Sequence, residues 1–285
     1  MKLGIDSYCY HRYFGEIYPG IQTRPAGRRM TVDDFLKRAK RYGVDGVSLE
    51  SCFFPSFSPD ALKRLRERLD EYGFERVWAW GHPNGLGSGT DRKAEWDLVA
   101  HIAYARAVGA GTMRIVGGSR RTRPDSWTRH FRQLRAALRR VVPAAEDAEV
   151  TLAIENHMDL TGDEMVEVIE SIGSPNLGVT LDTGNNLRLF EDPVEVFRKL
   201  APYTRATHIK DIAAWRGDPK DFSFWPSVPL GDGIVDLRAV VGFLKKAKYR
   251  GLLCVEVDFL HPDHGEEDQA VRKSLAYLRK IVGRR

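Results

Sequence analysis

Four residues in the second half of the chain stand where metal ligands would stand. Glu155, Asp182, His208 and Glu256 end four successive short apolar runs, T-L-A-I-E, L-G-V-T-L-D, R-A-T-H and L-L-C-V-E. Side chains on a strand alternate between two faces, so each of the four shares its face with the residue two positions earlier: Ala153, Thr180, Ala206 and Cys254. The spacing predicts a ring of ligands above a ring of small side chains. Three carboxylates and an imidazole suit a hard or borderline divalent cation such as Mn2+, Mg2+ or Co2+, and the lack of thiolate ligands argues against a structural zinc.

Two residues further along each run, the same alternation places His157, Gly184, Lys210 and Asp258 in a layer above the cation, where a substrate would sit. His157 is expected to point toward the cation as a functional imidazole rather than a merely hydrogen-bonded neighbour. Lys210 and Asp258 read equally as substrate contacts or as an ion pair closing the mouth, and Gly184 reads as a turn. His82, in W-A-W-G-H-P, is a candidate hydrogen-bond partner of substrate, with a satisfied loop residue as the alternative. Arg114 and the Arg120-Arg121-Thr122-Arg123 run offer bidentate donors for a phosphate or carboxylate, or else a solvated helix entry. Trp215, Phe222, Phe224 and Trp225 fall in a long segment after His208, as a lid stacking on a sugar face or as a packing cluster.

Such residues need a scaffold that brings strand ends together. Strand-like runs at 3–9, 46–51, 75–82, 112–118, 150–157, 177–185, 204–212 and 251–259 alternate with helical patterns. Thr31 and Ser58-Pro59 read as starts of the first two helices, and segments 91–109, 125–148, 162–173, 192–201, 236–248 and 266–282 follow. Eight strand-helix units over 285 residues predict one (β/α)8 TIM-barrel domain spanning 1–285, with its catalytic mouth at the C-terminal strand ends. The runner-up, an open doubly wound sheet, usually carries a glycine-rich phosphate turn, and no G-x-G-x-x-G follows the first run.

Composition narrows the setting. Three scattered cysteines without a C-x-x-C point to a reducing, cytoplasmic location, and no apolar stretch approaches a membrane span. A net charge of +5 raises the question of nucleic acid, but the arginines between 120 and 140 interleave with apolar positions, as on a solvated helix face.

With these residues in view, the chain resembles the sugar phosphate isomerase/epimerase family of xylose-isomerase-like TIM barrels along essentially its whole length. Leu152-Ala-Ile-Glu155-Asn-His157, Val179-Thr-Leu-Asp182-Thr-Gly-Asn185, Thr207-His208-Ile-Lys210-Asp211, Val255-Glu256-Val and Pro229-Leu-Gly-Asp-Gly233 carry the resemblance. It implies that Glu155, Asp182, His208 and Glu256 bind one divalent ion, Mn2+ first and Mg2+, Co2+ or Zn2+ behind it, and that Glu155 and Glu256 also move protons. The implied reaction removes a proton beside a cation-bound carbonyl of a keto-sugar to give an enediolate, whose reprotonation yields an isomer or epimer. Asn185 replaces the substrate-binding histidine of ketose 3-epimerases, however, and the E-N-H triplet is similar to oxo-sugar lyases such as C-glycoside deglycosidase α-like subunits. The expectation is therefore an isomerase or epimerase, with a lyase using His157 as base close behind and a DNA-repair nuclease of the same superfamily a distant third. A sugar substrate, no nucleic acid, no membrane, and a homo-oligomer or small partner subunit complete the expectation.

Overall fold

The structure, a computed structural model, describes residues 1–18, 26–214 and 226–284. Trp215, Phe222, Phe224 and Trp225 lie outside the described residues. The strands are β1 (Lys2–Asp6), β2 (Gly46–Glu50), β3 (Glu75–Ala79), β4 (Thr112–Ile115), β5 (Thr151–Glu155), β6 (Leu177–Asp182), β7 (Thr204–Ile209), β8 (Asp211–Ile212), β9 (Ser227–Val228) and β10 (Leu252–Val255). All but β8 and β9 pair in parallel and close into the expected barrel, in the order β1-β10-β7-β6-β5-β4-β3-β2. β8 and β9 form a small antiparallel pair just beyond β7.

After a one-turn α1 (His11–Phe14), eight helices among the described residues wrap the barrel: α2 (Val32–Tyr42), α3 (Pro59–Tyr72), α4 (Arg92–Ala107), α5 (Trp127–Asp147), α6 (Gly162–Ile172), α7 (Pro193–Leu200), α8 (Leu237–Lys246) and α9 (Glu267–Val282). Their starts follow side-chain chemistry. Thr31 accepts the Asp34 N–H while the Asp34 carboxylate reaches back to the Thr31 N–H, and Ser58 accepts the Ala61 N–H ahead of Pro59. None of the described helices is long and apolar enough to cross a membrane.

Burial divides the apolar residues between two layers. A large core lies between strands and helices, while Val77, Ala153, Ala206, Leu252 and Cys254 form a separate cluster inside the barrel. Three of the four small residues expected beneath the ligand ring are thus its floor, and Thr180, also buried, donates its hydroxyl to the Ala153 carbonyl. Register shows how the ring forms. Glu155 pairs with Thr180, Asp182 with His208, and Cys254 with His208, so the four residues step by two along the ladder at both outer strands. Strand tilt in a closed barrel turns that stagger into a common height.

A second buried polar pair lies behind the wall. His130 of α5 and Asp159, after β5, face each other at 3.9 Å, and no nitrogen or carboxylate oxygen of either has a hydrogen-bond partner. Burial pushes Asp159 up to about 7, while burial and then Arg123 push His130 down to about 4. The folded pair then carries one proton between those values, as the unfolded pair does, so it leaves stability nearly flat there. Asp159→Asn should remove that cancellation. His130, depressed from its usual 6.5, contributes stability above that value that is lost as pH falls toward about 4. Urea titrations across this window should therefore show a steeper acid loss in the variant than in the wild type, and parallel curves would refute the assignment.

Candidate active site

The mouth of the barrel is a cleft of about 470 Å³ whose walls include Glu50, Arg114, Glu155, His157, Asn185 and Lys210. At its base, Glu155, Asp182 and His208 each offer one atom, all within 4.8 Å of one another. Glu256 joins them with Oε2 at 3.1 Å from His208 Nδ1. The sequence-derived quartet is therefore assembled in one place.

Local bonding aims these groups inward. Asp182 Oδ1 accepts the N–H groups of Gly184 and Asn185 at 2.8 and 3.0 Å, leaving Oδ2 turned to the centre. Asn156 staples the ends of β5 and β6 by accepting the Asp182 N–H and donating to the Asp182 carbonyl, both at 2.8 Å. Asp182 Oδ2, Glu256 Oε2 and both ring nitrogens of His208 are buried without hydrogen-bond partners. The two oxygens meet the Lys210 ammonium at 2.9 Å, while the His208 nitrogens are left without a hydrogen bond, and a set of carboxylate and imidazole donors facing one point fits a divalent cation.

Two cations of the chain already lie beside these acids. Arg114 Nε donates to Glu155 Oε2 at 2.5 Å, and its Nη1 is 3.6 Å from Glu50. Lys210 Nζ lies 2.9 Å from both Asp182 Oδ2 and Glu256 Oε2 and 2.8 Å from Asp258 Oδ2. Ionisation follows this arrangement. Burial opposes the charge on Glu155, but Arg114 and His208 outweigh it and hold the carboxyl well below the usual range; His208 and Lys210 do the same for Glu256. Burial wins at Asp182, pushed up to about 8 against Lys210, and at Glu50, also about 8 against Arg114.

The remaining expected residues divide by environment. His157 lines the cleft half-buried, with Nδ1 unpartnered, and burial followed by Arg114, Arg188 and Lys210 pushes it down to about 4 despite Glu155. The sequence implies an imidazole of ordinary pKa at that place; this one stays neutral far below pH 7 and is a weaker base. Lys210 and Asp258 make the ion pair weighed above. Asn185 donates to Glu155 Oε1 at 3.0 Å. Arg114 is committed to Glu155 and Glu50 rather than extended as a clamp, because β4 places it beside them. His82 stacks on Trp80 at the rim, with ring centroids 4.9 Å apart. Arg120 and Arg123 are engaged by the protein, Arg120 with the Arg188 carbonyl at 2.6 Å and Arg123 with Glu164 at 2.7 Å. Trp215 is outside the described residues.

Sequence reasoning missed Asp6 and Glu50, which group with His208 within 4.8 Å on its other side, and also Tyr8, Tyr18 and Arg188 on the cleft wall. A comparable groove of about 510 Å³ runs along α2, lined by Arg28, Arg29, Lys37, Arg38 and Tyr72, and lies away from the strand ends.

Residues 36–281 match the family model described as xylose isomerase-like TIM barrel. The chain belongs to that family. Among characterised xylose isomerase-like relatives, it is 28% identical over 185 residues to a 3-oxo-isoapionate decarboxylase of Pectobacterium atrosepticum, a match spanning 65% of this chain and 62% of that protein. It is 24% identical over 278 residues to an inosose dehydratase of Clostridium botulinum, covering 89% of this chain and 88% of the relative. Among solved xylose isomerase-like structures, an L-ribulose 3-epimerase superposes with a TM-score of 0.73 at 18% identity over 99% of this chain and 94% of its own. The IolI protein with a binding zinc atom superposes with a TM-score of 0.78 at 15% identity, over 99% and 98%. At those identities the structural likeness concerns the barrel; the decarboxylase, the dehydratase and the epimerase are sugar-modifying enzymes.

Proposed function

We propose that this protein is a divalent-metal-dependent lyase acting on an oxo-sugar or oxo-sugar acid, breaking a bond β to the carbonyl. The observation that carries this reading is the bonding of Glu155. Its Oε2 is taken by Arg114 and its Oε1 by Asn185, so it is poorly placed to shuttle protons as a two-base epimerase requires. The sequence relatives named above, a decarboxylase and a dehydratase, support the same class.

Glu155, Asp182, His208 and Glu256 would hold the cation, and the chemistry it supplies when bound is Lewis-acid polarisation of a carbonyl. The chain's own groups do the rest. His157, neutral on the cleft wall, accepts a proton at a ring nitrogen. Arg114 and Asn185 fix Glu155 in one orientation and keep it ionised. Lys210, pointing up from β7 between Asp182 and Asp258, contacts the oxygen-rich end of the substrate.

Isomerase or epimerase chemistry remains the second reading, because Glu155 and Glu256 line one cleft as a carboxylate pair. The metal-loaded protein, incubated with oxo-sugars and oxo-sugar acids in D2O, separates the two. A truncated or unsaturated product supports the lyase, and exchange beside the carbonyl without loss of a group overturns it. Lys210→Met should raise KM or lower kcat while one ion per chain is retained. Unchanged kinetics on the true substrate would reduce Lys210 to a structural partner of Asp258.

A further inference from the structure

His208 faces acids on both sides of its ring, and the two sides differ in kind. Nδ1 looks toward Glu256, Glu155 and Asp182 at 3.1, 3.8 and 4.0 Å. Nε2 looks toward Asp6 Oδ2 at 3.5 Å, and a Glu50 oxygen groups with the two residues within 4.8 Å. Neither Nε2 nor Asp6 Oδ2 has a hydrogen-bond partner within bonding geometry, the Ser48 hydroxyl also stands beside the Asp6 carboxyl, and both His208 and Asp6 are buried, at 1% and 0% exposure. The Asp6 carboxylate cannot turn freely. Its Oδ1 accepts the Tyr8 N–H at 2.6 Å where the chain leaves β1, and this leaves Oδ2 for the imidazole.

We infer that Asp6 is a positioning residue that holds the His208 ring proton on Nε2 and so keeps the Nδ1 lone pair available to the cation. The inference rests on the metal reading above. A neutral imidazole carries one proton, and a ligand nitrogen must be the bare one. With the proton on Nδ1, the Nε2 lone pair would face an ionised oxygen across a buried gap. With the proton on Nε2, the carboxylate accepts it and the ring orientation is fixed. Partners of this kind alter metal affinity by about 10–100-fold when removed.

The geometry makes an unusual demand on substitutions. In Asp6→Asn the one amide oxygen is claimed by the Tyr8 N–H, so the NH2 group is turned to Nε2 and favours the proton on Nδ1, the wrong tautomer. Asp6→Ala merely removes the acceptor. The near-isosteric change should therefore be the worse one, the reverse of what a packing role predicts.

Metal content and affinity, measured by elemental analysis and competition with a chromophoric chelator for Mn2+ and Zn2+, test this without any assay of turnover. Expected are one ion per wild-type chain, an affinity loss of about 10–100-fold in Asp6→Asn, and a smaller loss in Asp6→Ala. In 15N-histidine spectra of the Zn2+-loaded wild type, His208 should show a downfield Nε2–H proton that moves upfield in Asp6→Ala. Wild-type affinity in Asp6→Asn, or a greater loss in Asp6→Ala, overturns the inference and leaves the metal reading standing. Two ions per wild-type chain, one of them lost with Asp6, would make Asp6 a ligand and also overturn it. A wild type that binds no ion overturns both.

Discussion

Replacing Arg114 with methionine is expected to destabilise the cation-free protein by about 3–5 kcal/mol, the usual cost of removing one partner from a buried ion pair. The guanidinium side chain is 11% exposed, and it stands between Glu155 at 2% and Glu50 at 4%, with no other arginine or lysine among the described residues paired to either. The pH dependence should identify the cause. In the wild type the depressed Glu155 contributes stability above the usual carboxylate pKa, and this is lost as pH falls through its folded value. Without Arg114, burial dominates and the folded value rises, so the penalty is felt at neutral pH and shrinks on acidification. Urea unfolding at several pH values should show the two proteins converging in acid, and added Mn2+ should narrow the neutral gap. A constant difference, or one below about 1 kcal/mol, would mean that Arg114 does not compensate these carboxylates.

His157→Asn is expected to lower kcat by about 10² to 10⁴ with the metal still bound, the size of a lost general base. The depressed pKa of His157 sets the form of the result. Because the ring is neutral above about 4, wild-type kcat should not fall between pH 7 and about 5 on account of this group. A His157→Asn protein that turns over near the wild-type rate would remove His157 from the reaction, and with it the principal support for proton transfer outside the glutamates.

The barrel and the gathering of Glu155, Asp182, His208 and Glu256 at its mouth are legible in the sequence because both depend on local rules. Alternation fixes which face Glu155 or His208 presents, and Thr31 and Ser58 announce their helices through hydroxyls that need only a neighbouring N–H. Strand ends are less legible. The run at 3–9 reads as one strand since Tyr8 and Cys9 continue its apolar pattern, but β1 stops at Asp6, whose carboxylate bonds the Tyr8 N–H and turns the chain into a short 3-10 helix. Asp6 and Glu50 were within reach: L-G-I-D and V-S-L-E end in acids just as the four ligand runs do. What no local rule contains is the closure that sets β1 beside β10, bringing Asp6 level with Glu256 and opposite His208. The pairing of Arg114 with Glu155, rather than with a substrate anion, has the same origin, since it depends on which strands become neighbours.

The bonding of Asp182 Oδ1 and Asp6 Oδ1 to backbone N–H groups has a consequence for how the protein will report on its surroundings. Side chains already immobilised by the folded backbone surrender little rotational freedom when an ion arrives, while the crowding of like charges has been met during folding. On the proposed metal reading, ion uptake and chain folding are then two halves of one equilibrium. The melting temperature becomes a gauge of free cation, rising by an amount set by RT ln(1 + [M]/Kd), so the ranking of metals can be read from heat alone before any substrate is known.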